Sequence, residues 1–382
     1  MKSFLFLLGF LPACVSTKSS IPVDDSPVDS SLQPEETQPN VYVVEPCKIS
    51  EAAFRGVGLG FPRSADRLRT IGTVKASVLF ADFPDAPATE TPQEIVDILH
   101  PVGTEFLRDV SYGKMHLELH PHPVWLRMSQ PSSHYANAIR EFAGHRDWLQ
   151  EAIDLADAEV DFSDIELVFV LATLQASTVA YGPTWLGFSG PNGSLEADGV
   201  EIRNGITSGA DLAYWGGKWL AHEVGHSMSL VDLYSYESNG GYSRPFSLMD
   251  LISSEAPEFF AYERWFLGWI EDEQIACVAE TATETLTAVA LPDGFKAIAI
   301  PVGENRLIVV ESRRALGWDS SLSADGVVVY TVDTTIPSGF GTIQVENDRQ
   351  VLQVGQSIAL EGINITVDDS TTTGDTVTVS IP

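Results

Sequence analysis

Positive charge is scarce in this 382-residue sequence: 22 Lys and Arg stand against 53 Asp and Glu, a formal net charge of −31. No stretch gathers the basic residues into a stripe. Without such a cluster a chain cannot displace counterions from a phosphate backbone, so nucleic acid is excluded as a partner. No internal repeat, phosphate-binding glycine loop or serine nucleophile elbow appears either. Cysteine is nearly absent, with three in the chain. The apolar run at the start, Phe4 to Leu11, is too short to span a bilayer as a mature helix.

What is present is enough to fold. Apolar residues make up 44% of the chain, and its length exceeds what one core usually serves, which predicts a large domain and a smaller one. The acidity reads as the solvated surface of an extracellular protein. Calcium held by surface Asp pairs such as Asp368 and Asp369 is a second use for it.

Residues 1–13 carry one Lys, the apolar run and a small residue ahead of Cys14, the pattern of a signal peptide. Leu11-Pro12-Ala13-Cys14 also resembles a bacterial lipobox, which implies cleavage before Cys14 and acylation of its thiol. Proline departs from the usual small residue there. The protein is therefore expected to be exported and lipid-anchored to the bacterial cell envelope through Cys14, or else secreted. Residues 14–40 are Ser, Pro, Asp, Glu and Gln with almost no large apolar side chain, and read as a disordered tether. Cys47 and Cys277 remain as two thiols that an oxidising compartment can pair, provided their Cα atoms lie close enough.

Periodicity predicts a buried strand over 73–82, a helix over 91–110 and a half-buried strand at 115–119. A helix over 136–156 and a buried strand over 165–174 follow. A Gly-rich, loop-heavy stretch, 175–215, has the texture of a cleft rim. Beyond Cys277 short apolar strands at 297–302, 307–311, 327–332 and 377–381 are separated by Gly, Pro, Asp and Thr, the pattern of a small all-β domain. The expected division is 41–276 and 277–382.

The chemistry concentrates in Lys218-Trp219-Leu220-Ala221-His222-Glu223-Val224-Gly225-His226. On a helix, histidines four residues apart project from one face and can share a Zn²⁺ ion. Glu223, rotated by about 100°, can face the attacking water as general base. A third ligand is needed, and Asp232 is the next candidate. If the helix simply continued, Asp232 would lie about 240° around from His226, so the helix must end and the chain reverse.

The segment resembles the metzincin pattern, and in particular the immune-inhibitor-A-like secreted zinc metalloproteases with their HExxHxxGxxD motif. The resemblance implies His222, His226 and Asp232 as metal ligands and Glu223 as base. Ser229 stands where that family usually has a left-handed Gly, a substitution costing roughly 1 kcal/mol. Further matches are Ser247-Leu248-Met249-Asp250, like the family's Met-turn, and Ser111-Tyr112-Gly113-Lys114. Phe266-Leu267-Gly268-Trp269-Ile270, Glu311-Ser312-Arg313 and the run from Gly326 to Asp333 extend the likeness to the C-terminal region. The fold class it implies is α+β: a metzincin-like zinc metalloprotease catalytic domain followed by a small all-β, sandwich-like C-terminal domain. The function it implies is endopeptidase action on protein or peptide substrates.

Alternatives stand beside this. Glu255 or Glu258 can replace Asp232 as third ligand. A surface binding module that keeps the fold without the activity is a second functional class, suggested by Ser229 and the acidic surface. His116, His120 and His122 with Glu118 share one face of a strand, read as a solvated polar face rather than a second metal cluster. Tyr181, Tyr234 and Tyr262 are candidate oxyanion donors among which spacing does not choose. The stretch of some thirty residues before Thr73 either covers the cleft for latency or has no such role.

Overall fold

The computed structural model describes residues 40–52 and 56–382. The expected signal peptide and lipobox and nearly all of the expected tether lie outside the described residues. Among the described residues no helix is long and apolar enough to cross a membrane. The architecture is mixed α/β, with several sheets and few helices.

The first half is built on a five-stranded sheet ordered Met115–Arg127, Gly72–Asp82, Leu167–Ala172, Asn204–Ser208 and Thr184–Leu186. The first four strands run parallel, and the last pairs antiparallel to its neighbour. Leu167–Ala172 is buried throughout, as its continuous apolar run requires in a sheet covered on both faces. Two predicted helices are each broken in two. Pro101 cannot supply the N–H that a continuous helix would need, so Pro92–Leu99 and Val102–Val110 are separate. Ser132–Ala138 and Phe142–Ala156 likewise replace the single helix expected over 136–156. The Gly-rich stretch is less irregular than its composition suggests, because Thr184–Leu186 and Asn204–Ser208 complete the main sheet.

The C-terminal strands form two packed sheets. One is ordered Ile343–Val345, Gly326–Asp333, Arg306–Arg313, Ala297–Gly303 and Ile275–Cys277. The other is ordered Ser357–Leu360, Ile363–Ser370, Gly374–Ser380 and Ala282–Thr287. Alternation along the strands gives the first sheet two apolar faces. Ile298, Ile300, Ile308, Val310 and Val329 meet the second sheet. Ala299, Leu307, Val309, Val328, Tyr330 and Val332 instead join the core that contains Trp219, Leu220 and Val224 of the site helix. Residue 277 therefore lies inside one compact unit, Val41–Pro382, whose main core spans both halves.

Charge reinforces the seam. Arg313 is fully buried and pairs with Glu311 at 2.6 Å and Asp319 at 2.5 Å, and it donates to the Glu258 carbonyl at 3.0 Å. Arg264 pairs with Glu258 at 2.5 Å and lies 5.2 Å from the centre of the Tyr112 ring. The Tyr112 hydroxyl donates to the Val289 carbonyl at 2.7 Å. Trp269 donates from its indole to the Thr70 carbonyl at 2.7 Å. The motifs at 111–114 and 311–313 thus hold the halves together, and that at 266–270 is tied to Thr70 within the first half.

Cys47 and Cys277 are joined by a disulfide, with Cα atoms 5.9 Å apart and a sequence separation of 230. In the chain-entropy account, closing a loop of that length removes roughly 5 kcal/mol of unfolded-state freedom. The bond fastens the segment ahead of the main sheet. Of the described residues before Thr73, Val57 alone lines the cleft beside the site helix, so the described part of this segment flanks the cleft and does not fill it.

Candidate metal centre

The helix Gly217–Ser227 carries the paired histidines. Trp219, Leu220 and Val224 are buried on it, each contributing about 1.5–3 kcal/mol through the apolar area removed from water. Gly225 allows the chain following the helix to pass close beneath, since a Cβ there would lie 2.9 Å from Met249 Sδ. Met249 is fully buried under the site, where the resemblance put a Met-turn.

Past the helix the chain reverses. Ser229 takes φ +90°, and Leu230 N–H returns to the Gly225 carbonyl at 2.9 Å. The left-handed serine is held by a bond a glycine would lack, its Oγ donating to the Gly58 carbonyl at 3.1 Å, beside a main-chain bond from Gly58 N–H to the Ser229 carbonyl at 3.0 Å. The cost of a Cβ in this conformation is offset by those contacts.

The reversal returns Asp232 to the histidines. His222 Nε2 lies 3.3 Å and His226 Nε2 3.2 Å from Asp232 Oδ1. Each Nδ1 faces a main-chain carbonyl, His222 that of Leu248 at 3.2 Å and His226 that of Leu230 at 2.9 Å. A carbonyl only accepts, so each Nδ1 carries a hydrogen and each Nε2, a ligand once unprotonated, points inward. Two ring nitrogens and a carboxylate oxygen thus converge, and the buried Asp232 Oδ1 accepts no well-formed hydrogen bond. Tetrahedral ligands at 2.0–2.1 Å from a metal are separated by about 3.3 Å. The two His–Asp separations match that edge, the three donor atoms all lie within 4.8 Å of one another, and an N₂O donor set suits a divalent cation such as zinc.

Electrostatics agree with a cation-seeking site. Burial by itself lowers the His226 imidazole pKa, but Asp232 outweighs it and raises the group to about 9. Burial likewise opposes ionisation of Asp232, yet the two imidazoles hold its carboxyl well below the usual range. A proton on His226 is therefore what a metal must displace. Below about pH 9, metal affinity should fall close to tenfold per pH unit, and uptake at neutral pH should release about one proton. Calorimetric titration in buffers of differing ionisation enthalpy measures both, and an affinity unchanged between about pH 6 and 8 would contradict this account of the site.

Glu223 lies on the same helix, turned away from Asp232 toward the edge strand. Burial is the largest influence on its carboxyl and raises its pKa; the imidazoles and Thr184 only partly reverse this. Thr184 Oγ1 donates to Glu223 Oε2 at 2.8 Å, which fixes the carboxylate's direction. Thr184 and Tyr236 are the residues that sequence reasoning missed. The Tyr236 hydroxyl donates to Asp232 Oδ2, holding the oxygen that faces away from the histidines.

The rival ligands are elsewhere. Glu258 is paired with Arg264, and Glu255 is exposed and does not line the cleft. Among the tyrosines, Tyr262 is buried with its hydroxyl on the Leu59 carbonyl. Tyr181 and Tyr234 line the cleft, and the Tyr234 ring stacks 6.4 Å from that of His222. That cleft, about 690 Å³, is also walled by Leu186, Trp215, Trp219 and Ile252.

His222, His226 and Asp232 are the one group of this kind among the described residues. Asp368 accepts from the Thr378 hydroxyl at 2.6 Å, and Asp369 from the Ser370 amide at 2.9 Å. On the strand Met115–Arg127, His116 and His120 are exposed as a polar face should be, and His120 pairs with Glu118 at 3.0 Å. His122 departs from that face. A register shift around it turns the ring inward, where Nε2 lies 3.3 Å from Glu159.

No family matches the chain, and no curated protein matches it. Solved structures do. One is a catalytically inactive OgpA from Akkermansia muciniphila, in complex with an O-glycopeptide (glycodrosocin) substrate. The alignment covers 82% of this chain and 92% of that one, with a TM-score of 0.31 and 10% identity.

Proposed function

We propose that this chain is a zinc-dependent metalloendopeptidase of metzincin-like organisation, exported and anchored through Cys14. The observation that carries the reading is the convergence of His222 Nε2 and His226 Nε2 on Asp232 Oδ1, each at a zinc-like spacing from it, with Glu223 one residue from the first histidine. Held by His222, His226 and Asp232, a zinc ion would supply a Lewis acid that lowers the pKa of a water and polarises the scissile carbonyl.

The remaining chemistry belongs to the chain. Glu223 takes the proton from the attacking water at its carboxylate and passes it to the leaving amine. Burial favours this by raising its proton affinity, so that the same group serves as base and then as acid. Thr184 keeps the carboxylate from rotating out of line. Tyr234, whose phenol pKa burial and Asp232 push up, stays protonated beside His222 and can donate to the developing oxyanion. The apolar cleft walls exclude water from a bound peptide.

The test is digestion of casein and of a peptide library by purified protein, with and without a chelator, alongside metal analysis. Cleavage that a chelator abolishes and zinc restores is expected. Stoichiometric zinc with no cleavage of any peptide would favour the binding module instead.

A further inference from the structure

The loop 334–341 leaves the C-terminal sheet between the strands Gly326–Asp333 and Ile343–Val345 and reaches the metal site. Ser338 lines the cleft there, although it stands more than a hundred residues from Asp232 in sequence. Asp232 N–H donates to Ser338 Oγ at 2.9 Å, and Ser338 Oγ lies 3.4 Å from Asp232 Oδ2. The next residue completes the dock. Gly339 N–H donates to the Asp232 carbonyl at 2.9 Å, and Tyr236 N–H donates to the Gly339 carbonyl at 3.0 Å. Gly339 has φ +79°, and a Cβ there would lie 2.4 Å from the Tyr236 ring, so the approach requires glycine.

Asp232 is thus gripped on every side but one. Its amide, its carbonyl and Oδ2 are engaged by the loop and by Tyr236, which leaves Oδ1 directed at the histidines. We infer that Ser338 is a positioning residue for the third metal ligand, and that the C-terminal sheet in this way forms part of the metal centre. The inference rests on the metal-site reading above. A ligand carboxylate free to rotate gives up a share of its binding free energy to being ordered; one already held does not.

The experiment measures zinc affinity of full-length protein by competition with a chromogenic chelator, with thermal unfolding of the metal-free form recorded for each variant. Ser338→Ala should weaken zinc binding about ten- to hundred-fold with the unfolding temperature little changed. Ser338→Thr, which keeps the hydroxyl, should restore most of the affinity. Wild-type affinity in Ser338→Ala would overturn the inference. So would loss of the fold, which would mark Ser338 as structural, or failure of Ser338→Thr to rescue. The His226→Ala protein separates the two claims. If wild type binds zinc and His226→Ala does not, an unaffected Ser338→Ala sinks this inference alone; if wild type binds none, the metal-site reading itself fails.

Discussion

Replacing Glu223 with alanine should lower peptide hydrolysis by about 10²- to 10⁴-fold while leaving bound zinc at the wild-type level. The two readouts separate because the side chain's contacts point away from the ligand triad. Glu223 Oε2 accepts from Thr184, whereas the three ligand atoms are held by the Leu248 and Leu230 carbonyls, Tyr236 and the Ser338 loop. Removing a buried, proton-hungry carboxylate should leave the fold intact or slightly more stable. The His226→Ala variant supplies the contrast, since it should lose metal and activity together. A pure Glu223→Ala sample that still cleaves casein at the wild-type rate would remove Glu223 from the chemistry. The pH profile gives a second check. A base whose pKa is raised by burial is protonated over a wider acidic range, so activity should decline on the acid side earlier than an ordinary glutamate would impose.

The largest effect on stability should come from Arg313→Ala, about 3–5 kcal/mol, read as a lowered urea midpoint. The guanidinium is buried among Glu311, Asp319 and the Glu258 carbonyl, so its removal strands two carboxylates where water cannot reach. Asp319 is already near its limit. Burial raises its carboxyl to about 6 even with Arg313 opposing that rise, and without the arginine it would have to take up a proton. Arg306→Ala is the control. Its pair with Glu361 is solvent-exposed on both sides, and breaking it should change stability by less than about 1 kcal/mol. Equal effects from the two substitutions would mean that the buried network does not hold the seam.

The helix of the paired histidines was legible because its information is local. Two histidines and a glutamate within one turn, with Trp219, Leu220 and Val224 behind them, specify geometry without reference to the rest of the chain. The reversal to Asp232 followed from the failure of the alternative, a helix that would carry it to the wrong side. Thr184, Tyr236 and Ser338 were not legible. Each is a lone polar residue in a loop or short edge strand, and what gives it a role is a partner made near by the fold. Asn204–Ser208 was missed for a related reason: as NGITS it has little strand propensity, and its place in the sheet comes from pairing with Leu167–Ala172. The broken helix at Pro101 was readable in principle, but apolar spacing continues through it. The C-terminal strands were found, and their second apolar face was also visible in the alternation, yet only the packing reveals that this face belongs to the site helix's core.

The covalent link between Cys47 and Cys277 makes a hoop, and every cleft residue named above apart from Ser338 lies on it. On the proposed function, copies of the protein meet one another, and their exposed turns are substrates in reach. The bends at 187–199 are the sort of place where nicks fall. A nick anywhere on a hoop opens the ring without freeing a fragment. The two new ends stay attached through the sulfur bridge, the strands on either side stay paired in the sheet, and the His222–Asp232 segment is not lost to dilution. A nicked chain should then stay one covalent piece in an oxidising medium and be held by packing alone in a reducing one.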